Sequence, residues 1–202
     1  TDLSMESPFI GNSFCGILFG TCVLAALLIG CTPRDDWYLL MDPDQTMDFA
    51  ATDGNAAFLM NVGCYGLFIL FYYNLIGAPF NGITFGVIFC MLSTCNAGSH
   101  PFNVWPIMLG YGLASQIFLH LSPIFSSNFT QHLHSQSIVV GLCYANGLSP
   151  IADKYGWIYG MLAAMMHFCM VTTVPELHGG MCLYNGGFTA ALVCLLLVPG
   201  LE

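Results

Sequence analysis

Between Pro175 and Phe188 the chain carries the carboxylate of Glu176, the imidazole of His178, the phenol of Tyr184 and the carboxamide of Asn185, interleaved with Gly179, Gly180, Gly186 and Gly187. These groups could exchange protons, hold a metal or solvate a polar molecule. The first two chemistries fit the spacing poorly. Glu176 and His178 are two apart, not arranged as the H-E-x-x-H pattern that sets ligands on one helical face, and no Ser or Cys has a base beside it. The chain is therefore read as a non-enzyme with no metal and no cofactor. Solvation of a solute remains, and glycine permits the close approach or helix break that it needs.

The flanks give these polar groups their meaning. Trp157 to Thr173 and Leu183 to Val198 are apolar runs suited to a bilayer. A charged or strongly polar side chain at membrane depth costs roughly 2.5 to 3.5 kcal/mol by insertion scales, so it ordinarily faces a helix bundle or an aqueous cavity. The 202 residues are 56 % hydrophobic and 6 % charged, with a mean hydropathy of +0.74. Soluble domains carry about 25 % charge. An all-α integral membrane protein follows from composition alone.

Eleven acids against two bases, Arg34 and Lys154, give a net charge of −9. That balance excludes nucleic acid as a partner. Asp35, Asp36, Asp42, Asp44, Asp48 and Asp53 fall in an aqueous connection over residues 32–54. Two bases are too few for the positive-inside rule to orient the chain. The ten cysteines are scattered through apolar runs without a C-x-x-C pair and read as small apolar packers. His132 and His134 lack a visible third ligand and read as a solvated loop. The sequence begins at Thr1 and stops at Glu202, which reads as a fragment of a longer chain.

The elements that must position the polar groups can be taken in order. Ser13 to Cys31 is uninterrupted by charge; nineteen residues at ~1.5 Å each nearly cross a hydrocarbon core of ~30 Å. Its Gly16, Gly20 and Ala25 suit close helix packing. Ala56 to Tyr73 is a second span, carrying Asn61, Gly63 and Gly66. After the Gly77-Ala78-Pro79 break a third span reaches about Cys95, and Pro106 opens a fourth that reaches about Phe125. Ser137 to Ala152 is short and broken at Asn146-Gly147 and Ser149-Pro150, the pattern of a discontinuous or re-entrant helix. With the two runs around residue 178, this makes about six to seven membrane segments in a single transmembrane domain, 1–202. His167 and His120, each alone in an apolar helix, are expected to bond a neighbouring helix.

Two segments echo one another. Leu59-Met60-Asn61-Val62-Gly63 matches Leu183-Tyr184-Asn185-Gly186-Gly187 as L-x-N-x-G, and Gly77-Ala78-Pro79 resembles Gly147-Leu148-Ser149-Pro150. An internal, inverted repeat would supply two broken helices, each with an Asn near the membrane middle, as many transporters do. On this reading the chain is a channel or facilitator for a small polar solute, urea-like, amide-like or a small ion. Asn61, Asn103, Glu176, His178, Tyr184 and Asn185 line its path. The alternative is a structural subunit of a larger membrane assembly, which the scarcity of charge and the many Gly, Met and Phe also fit. The expected partners are the lipid bilayer, the solute, and either further copies of the chain or other subunits.

From about Asp53 to the end, the chain resembles a family of uncharacterised bacterial multi-spanning membrane proteins, a domain of unknown function. The resemblance rests on Ala57-Phe58-Leu59 with Asn61 and Gly63, Gly77-Ala78-Pro79, His100-Pro101-Phe102-Asn103 with Pro106, Leu177-His178-Gly179-Gly180, and Leu183-Tyr184-Asn185 with Gly187-Phe188. It implies a bacterial inner membrane. Gly147-Leu148-Ser149-Pro150 and Leu183-Tyr184-Asn185 are also faintly similar to the pore motifs of urea transporters. The full N-P-x-S-G string of those proteins is absent, as is the length for two complete halves.

Overall fold

The computed structural model describes residues 8–31, 49–125, 132–177, 179 and 185–202, and these are helical with short connections and no strand. The chain divides into two compact units, Thr1–Phe102 and Asn103–Glu202.

The first unit contains α1 (Pro8–Leu28), α2 (Phe49–Leu75) and α3 (Gly82–Leu92), the last continued by a 3-10 turn, Ser93–Ala97. Pro8 opens α1, a position where its missing N–H costs nothing. Gly30, at φ 96°, closes it, and the Cys31 N–H then reaches back 3.0 Å to the Ala26 carbonyl. α2 runs antiparallel to α1. Asn74 Nδ2 donates to Asn12 Oδ1 at 2.8 Å near one end, and Met60 packs with Ala26 and Cys31 near the other. The acidic connection is shorter than expected, because helix starts at Phe49 with a kink at Gly54, φ 85°. The rest of that connection, 32–48, lies outside the described residues.

The expected small-residue face of α1 is not where the two helices meet most closely. Nothing lies within 4 Å of a methyl added at Gly20, whereas at Gly63 of α2 it would sit 2.8 Å from the Phe19 carbonyl oxygen and 2.8 Å from the Val23 nitrogen. Gly66 faces the Phe19 ring in the same way. The glycines that matter are therefore on α2. α3 begins after the break, with Asn81 Oδ1 accepting the N–H groups of Ile83 and Thr84 at 3.0 Å each. Such an N-cap satisfies donors that the first turn leaves over. Phe85 and Phe89 then meet Phe14 and Phe19 of α1 in tilted ring contacts.

The second unit is built on α4, a helix (Pro101–Phe125) that begins at the boundary. It opens at Pro101, not at the expected Pro106, which lies inside the helix. α5 (Gln136–Ala145) leads through a 3-10 turn, Asn146–Leu148, into α6 (Ser149–Tyr155), the expected broken helix. α7 (Trp157–Val171), the four-residue α8 (Val174–Leu177) and α9 (Asn185–Leu197) complete it, with a 3-10 end at Val198–Gly200.

Contacts fix the directions in this unit. At one end Asn103 meets Asp153, the Trp105 and Trp157 rings lie 5.7 Å apart, and Lys154 pairs with Glu202. The opposite end of α7 meets the start of α9, where Asn185 Nδ2 donates to the Val171 carbonyl at 2.7 Å. So α4 and α7 run one way, while α5–α6 and α9 return. The pair of tryptophans beside Lys154, Tyr155 and Glu202 has the composition of a bilayer interface.

Among the described residues three helices are long and apolar enough to cross a membrane: Phe9–Leu28, Gly54–Leu75 and Pro101–Leu121. Gly82–Ala97, Trp157–Val171 and Asn185–Gly200 are apolar but shorter. The expected segments are present as helices, and about half of them have full spanning length.

Candidate functional site

Asn61 sits inside α2 and is fully buried, 0 % exposed. Its Nδ2 donates to the Ser99 carbonyl at 2.8 Å. Ser99 is held there because Gly98, at φ 89°, ends the 3-10 turn, and the Ser99 N–H bonds the Thr94 carbonyl at 3.0 Å. The Asn61 Oδ1 atom is buried with no hydrogen-bond partner among the described residues. A buried acceptor left unsatisfied costs roughly 1 to 3 kcal/mol.

Ser99 and His100, next to one another in sequence, are both buried. The Phe102 N–H donates to His100 Nδ1 at 3.2 Å, so this nitrogen is the acceptor and the ring proton resides on Nε2. Burial pushes His100 down to about 4, which keeps the ring neutral at neutral pH. The neighbourhood of Asn61 thus combines an open acceptor with an uncharged imidazole one residue beyond its Ser99 anchor.

The second unit handles its polar groups differently. His167 is fully buried between two partners. Nε2 lies 2.9 Å from the Gly186 carbonyl, which can only accept, so Nε2 carries the proton. Nδ1 is then an acceptor for the Tyr111 hydroxyl at 2.5 Å. Both nitrogens are satisfied, and the histidine ties α4, α7 and α9 together, as expected for a lone His in an apolar helix. Asn185 reinforces the joint through Val171, and Thr189 Oγ1 donates to the Asn185 carbonyl at 2.8 Å. Gly186 lets this turn press against the Tyr144 ring: an added methyl would lie 2.6 Å from Tyr144 Cβ.

At the far end of α7, Asn103 Nδ2 donates to Asp153 Oδ2 at 2.7 Å. Partial burial raises the Asp153 carboxyl above its ordinary range, and the Asn103 bond acts in the opposite direction. Val171 is fourteen residue steps along α7 from Trp157, roughly 21 Å at 1.5 Å per step. Asn103 and Asn185 are therefore bonded at opposite ends of this helix and do not converge.

The remaining expected residues divide as follows. Glu176 is exposed on the short α8. His178 and Tyr184 lie outside the described residues. Asn61 belongs to the first unit, with Asn103, Glu176 and Asn185 in the second. The echoed asparagines also differ locally: Asn61 is in a helix interior, Asn185 is the first residue of α9. Sequence reasoning passed over Ser99, Tyr111 and Asp153 as partners. Among the described residues no group of three or more His, Cys, Asp or Glu could hold a metal.

No curated protein and no solved structure matches the chain. A family model, described as a protein of unknown function, matches residues 37–202, starting earlier than the resemblance at Asp53. This match takes in α2 to α9 and the polar groups around Asn61, His167 and Asn103. The chain belongs to this family of unknown function, DUF1576.

Proposed function

We propose that the chain is an integral membrane protein that lets a small, neutral, polar solute pass, with Asn61 as its contact in the first unit. The observation that carries this reading is the Asn61 amide oxygen, buried on a helix of spanning length with no partner among the described residues. Its Nδ2 is committed to Ser99, so what the site still seeks is a donor. A solute bearing N–H or O–H groups supplies one, and replacing hydration by such contacts is how selective pores work. Neutral His100 adds no charge to hold an ion. The faint similarity to urea transporters points to the same solute class, and the broken helix at Asn146–Leu148 stands where that similarity was drawn. The proposed location is a bacterial inner membrane, a reading supported only by the resemblance drawn from the sequence.

Exposed Phe9, Ile10, Phe14, Ile17, Leu24 and Leu28 give α1 an apolar outer surface suited to lipid or to a neighbouring subunit. A second reading, a structural subunit of a larger assembly, is favoured by the completely satisfied Tyr111–His167–Gly186 joint. Flux separates the two. Proteoliposomes carrying the purified chain are expected to admit acetamide or urea faster than empty vesicles, and Asn61→Leu is expected to remove that gain. Equal rates with and without protein would favour the structural reading.

A further inference from the structure

We propose that Cys31, Met60 and Cys64 form a binding site for a soft monovalent metal ion, Cu(I) or its surrogate Ag(I), where α1 and α2 meet. Cys64 Sγ lies 3.7 Å from Met60 Sδ, one helical turn apart on α2. Two sulfurs bound to one metal at about 2.3 Å in a trigonal plane stand about 4.0 Å apart, a few tenths of an ångström from this pair. The pair already has the bite of a chelate. Cys31 comes to the same place from the other helix: the turn at Gly30 folds the chain back, and Cys31 packs with Ala26 and Met60 in one cluster that Cys64 also joins.

Thiolate and thioether ligands select Cu(I) over harder ions. Trigonal coordination by two thiolates and a thioether satisfies such an ion without histidine or carboxylate. On binding, each thiol releases its proton to solvent and no electron is transferred. Asp35, Asp36, Asp42, Asp44, Asp48 and Asp53 follow Cys31 closely in sequence. A run of carboxylates so near in sequence attracts cations to this part of the chain. Without metal, the same three side chains pack together at a helix end, with the Cys64 thiol donating to Met60 Sδ. The site is independent of solute passage, since neither Asn61 nor Ser99 takes part.

The test uses the full chain, purified in detergent under reducing conditions and titrated with Cu(I) against a chromophoric Cu(I) chelator. One equivalent is expected to bind, and X-ray absorption is expected to place about three sulfurs at about 2.3 Å. Cys31→Ser and Cys64→Ser are each expected to weaken binding at least tenfold, Met60→Leu by less, and Cys95→Ser not at all. Circular dichroism on each variant confirms folding, and the conservative Met60→Leu keeps a readout if a Cys variant unfolds. Absence of stoichiometric binding by the unaltered chain, or equal affinity in Cys31→Ser, Cys64→Ser and Cys95→Ser, overturns the proposal.

Discussion

Replacing Gly63 by Ala tests how the first unit is held together. The added methyl would lie 2.5 Å from Val23 Cγ2 and 2.8 Å from both the Phe19 carbonyl oxygen and the Val23 nitrogen. Carbon contacts are comfortable at about 3.5 to 4.0 Å, so relief requires a shift of roughly 1 Å. Val23 is β-branched and stiff in a helix. The other two neighbours are backbone, so α1 itself has to move. Overpacking of this kind costs about 1 to 3 kcal/mol. On the proposed membrane reading the loss is not offset by hydrophobic association, because helices in lipid are joined chiefly by close packing. At a middle value of about 2 kcal/mol the folded-to-unfolded ratio falls roughly 30-fold. The measurement is reversible unfolding in mixed micelles with increasing SDS, followed by circular dichroism. Gly20→Ala is the matched control, since nothing lies within 4 Å of its methyl; it should be neutral, or stabilising by up to about 1 kcal/mol from helix propensity. If the two substitutions shift the midpoint equally, the close approach at Gly63 is not what joins α1 to α2.

Two further outcomes follow from the polar nodes. In the second unit, Tyr111→Phe and His167→Phe should each destabilise and should be non-additive, with a coupling of about 1 kcal/mol or more in a double-mutant cycle; simple additivity would refute the shared hydrogen bond. In the first unit, His100 is held at about 4 against an ordinary 6.5. Below 6.5 the unfolded chain takes up a proton that the folded chain refuses. The stability due to a neutral His100 is therefore complete above pH 6.5 and is lost progressively down to pH 4. The upper limit is about 3 kcal/mol, from 1.36 kcal/mol per unit. His100→Gln should flatten that part of the pH profile, and an unchanged slope would show that another group causes it.

The spans were legible because they depend on local composition. Uninterrupted apolar runs located α7 and α9 to within two residues and the C-terminal ends of α1, α2 and α4 to within three, but α1 and α2 begin five and seven residues before those runs; Asn146-Gly147 with Ser149-Pro150 located the break between α5 and α6. The start of α4 was misplaced because either proline could open a helix, and the chain uses Pro101. Pairings across the fold were not legible. No periodicity indicates that Asn61 meets Ser99, that Tyr111 meets His167, or that Asn103 meets Asp153, since each pair is separated by 38 residues or more. The same applies to Gly63, whose importance depends on which surface of α1 faces it. Asn185 and Asn61 look alike as L-x-N-x-G motifs. Their roles differ because Asn185 closes a helix joint, whereas Asn61 has spent only its donor.

The most direct test of the account is the rate at which proteoliposomes shrink and re-swell in a gradient of acetamide or urea, measured by stopped-flow light scattering. The unaltered chain is expected to accelerate re-swelling over empty vesicles, and Asn61→Leu to slow it about tenfold, the worth of one hydrogen bond to the solute. Ammonium and chloride should be admitted no faster than by lipid alone. Re-swelling that is no faster than in empty vesicles, or that is undiminished in Asn61→Leu, would contradict the proposal that the buried amide oxygen of Asn61 contacts a passing solute.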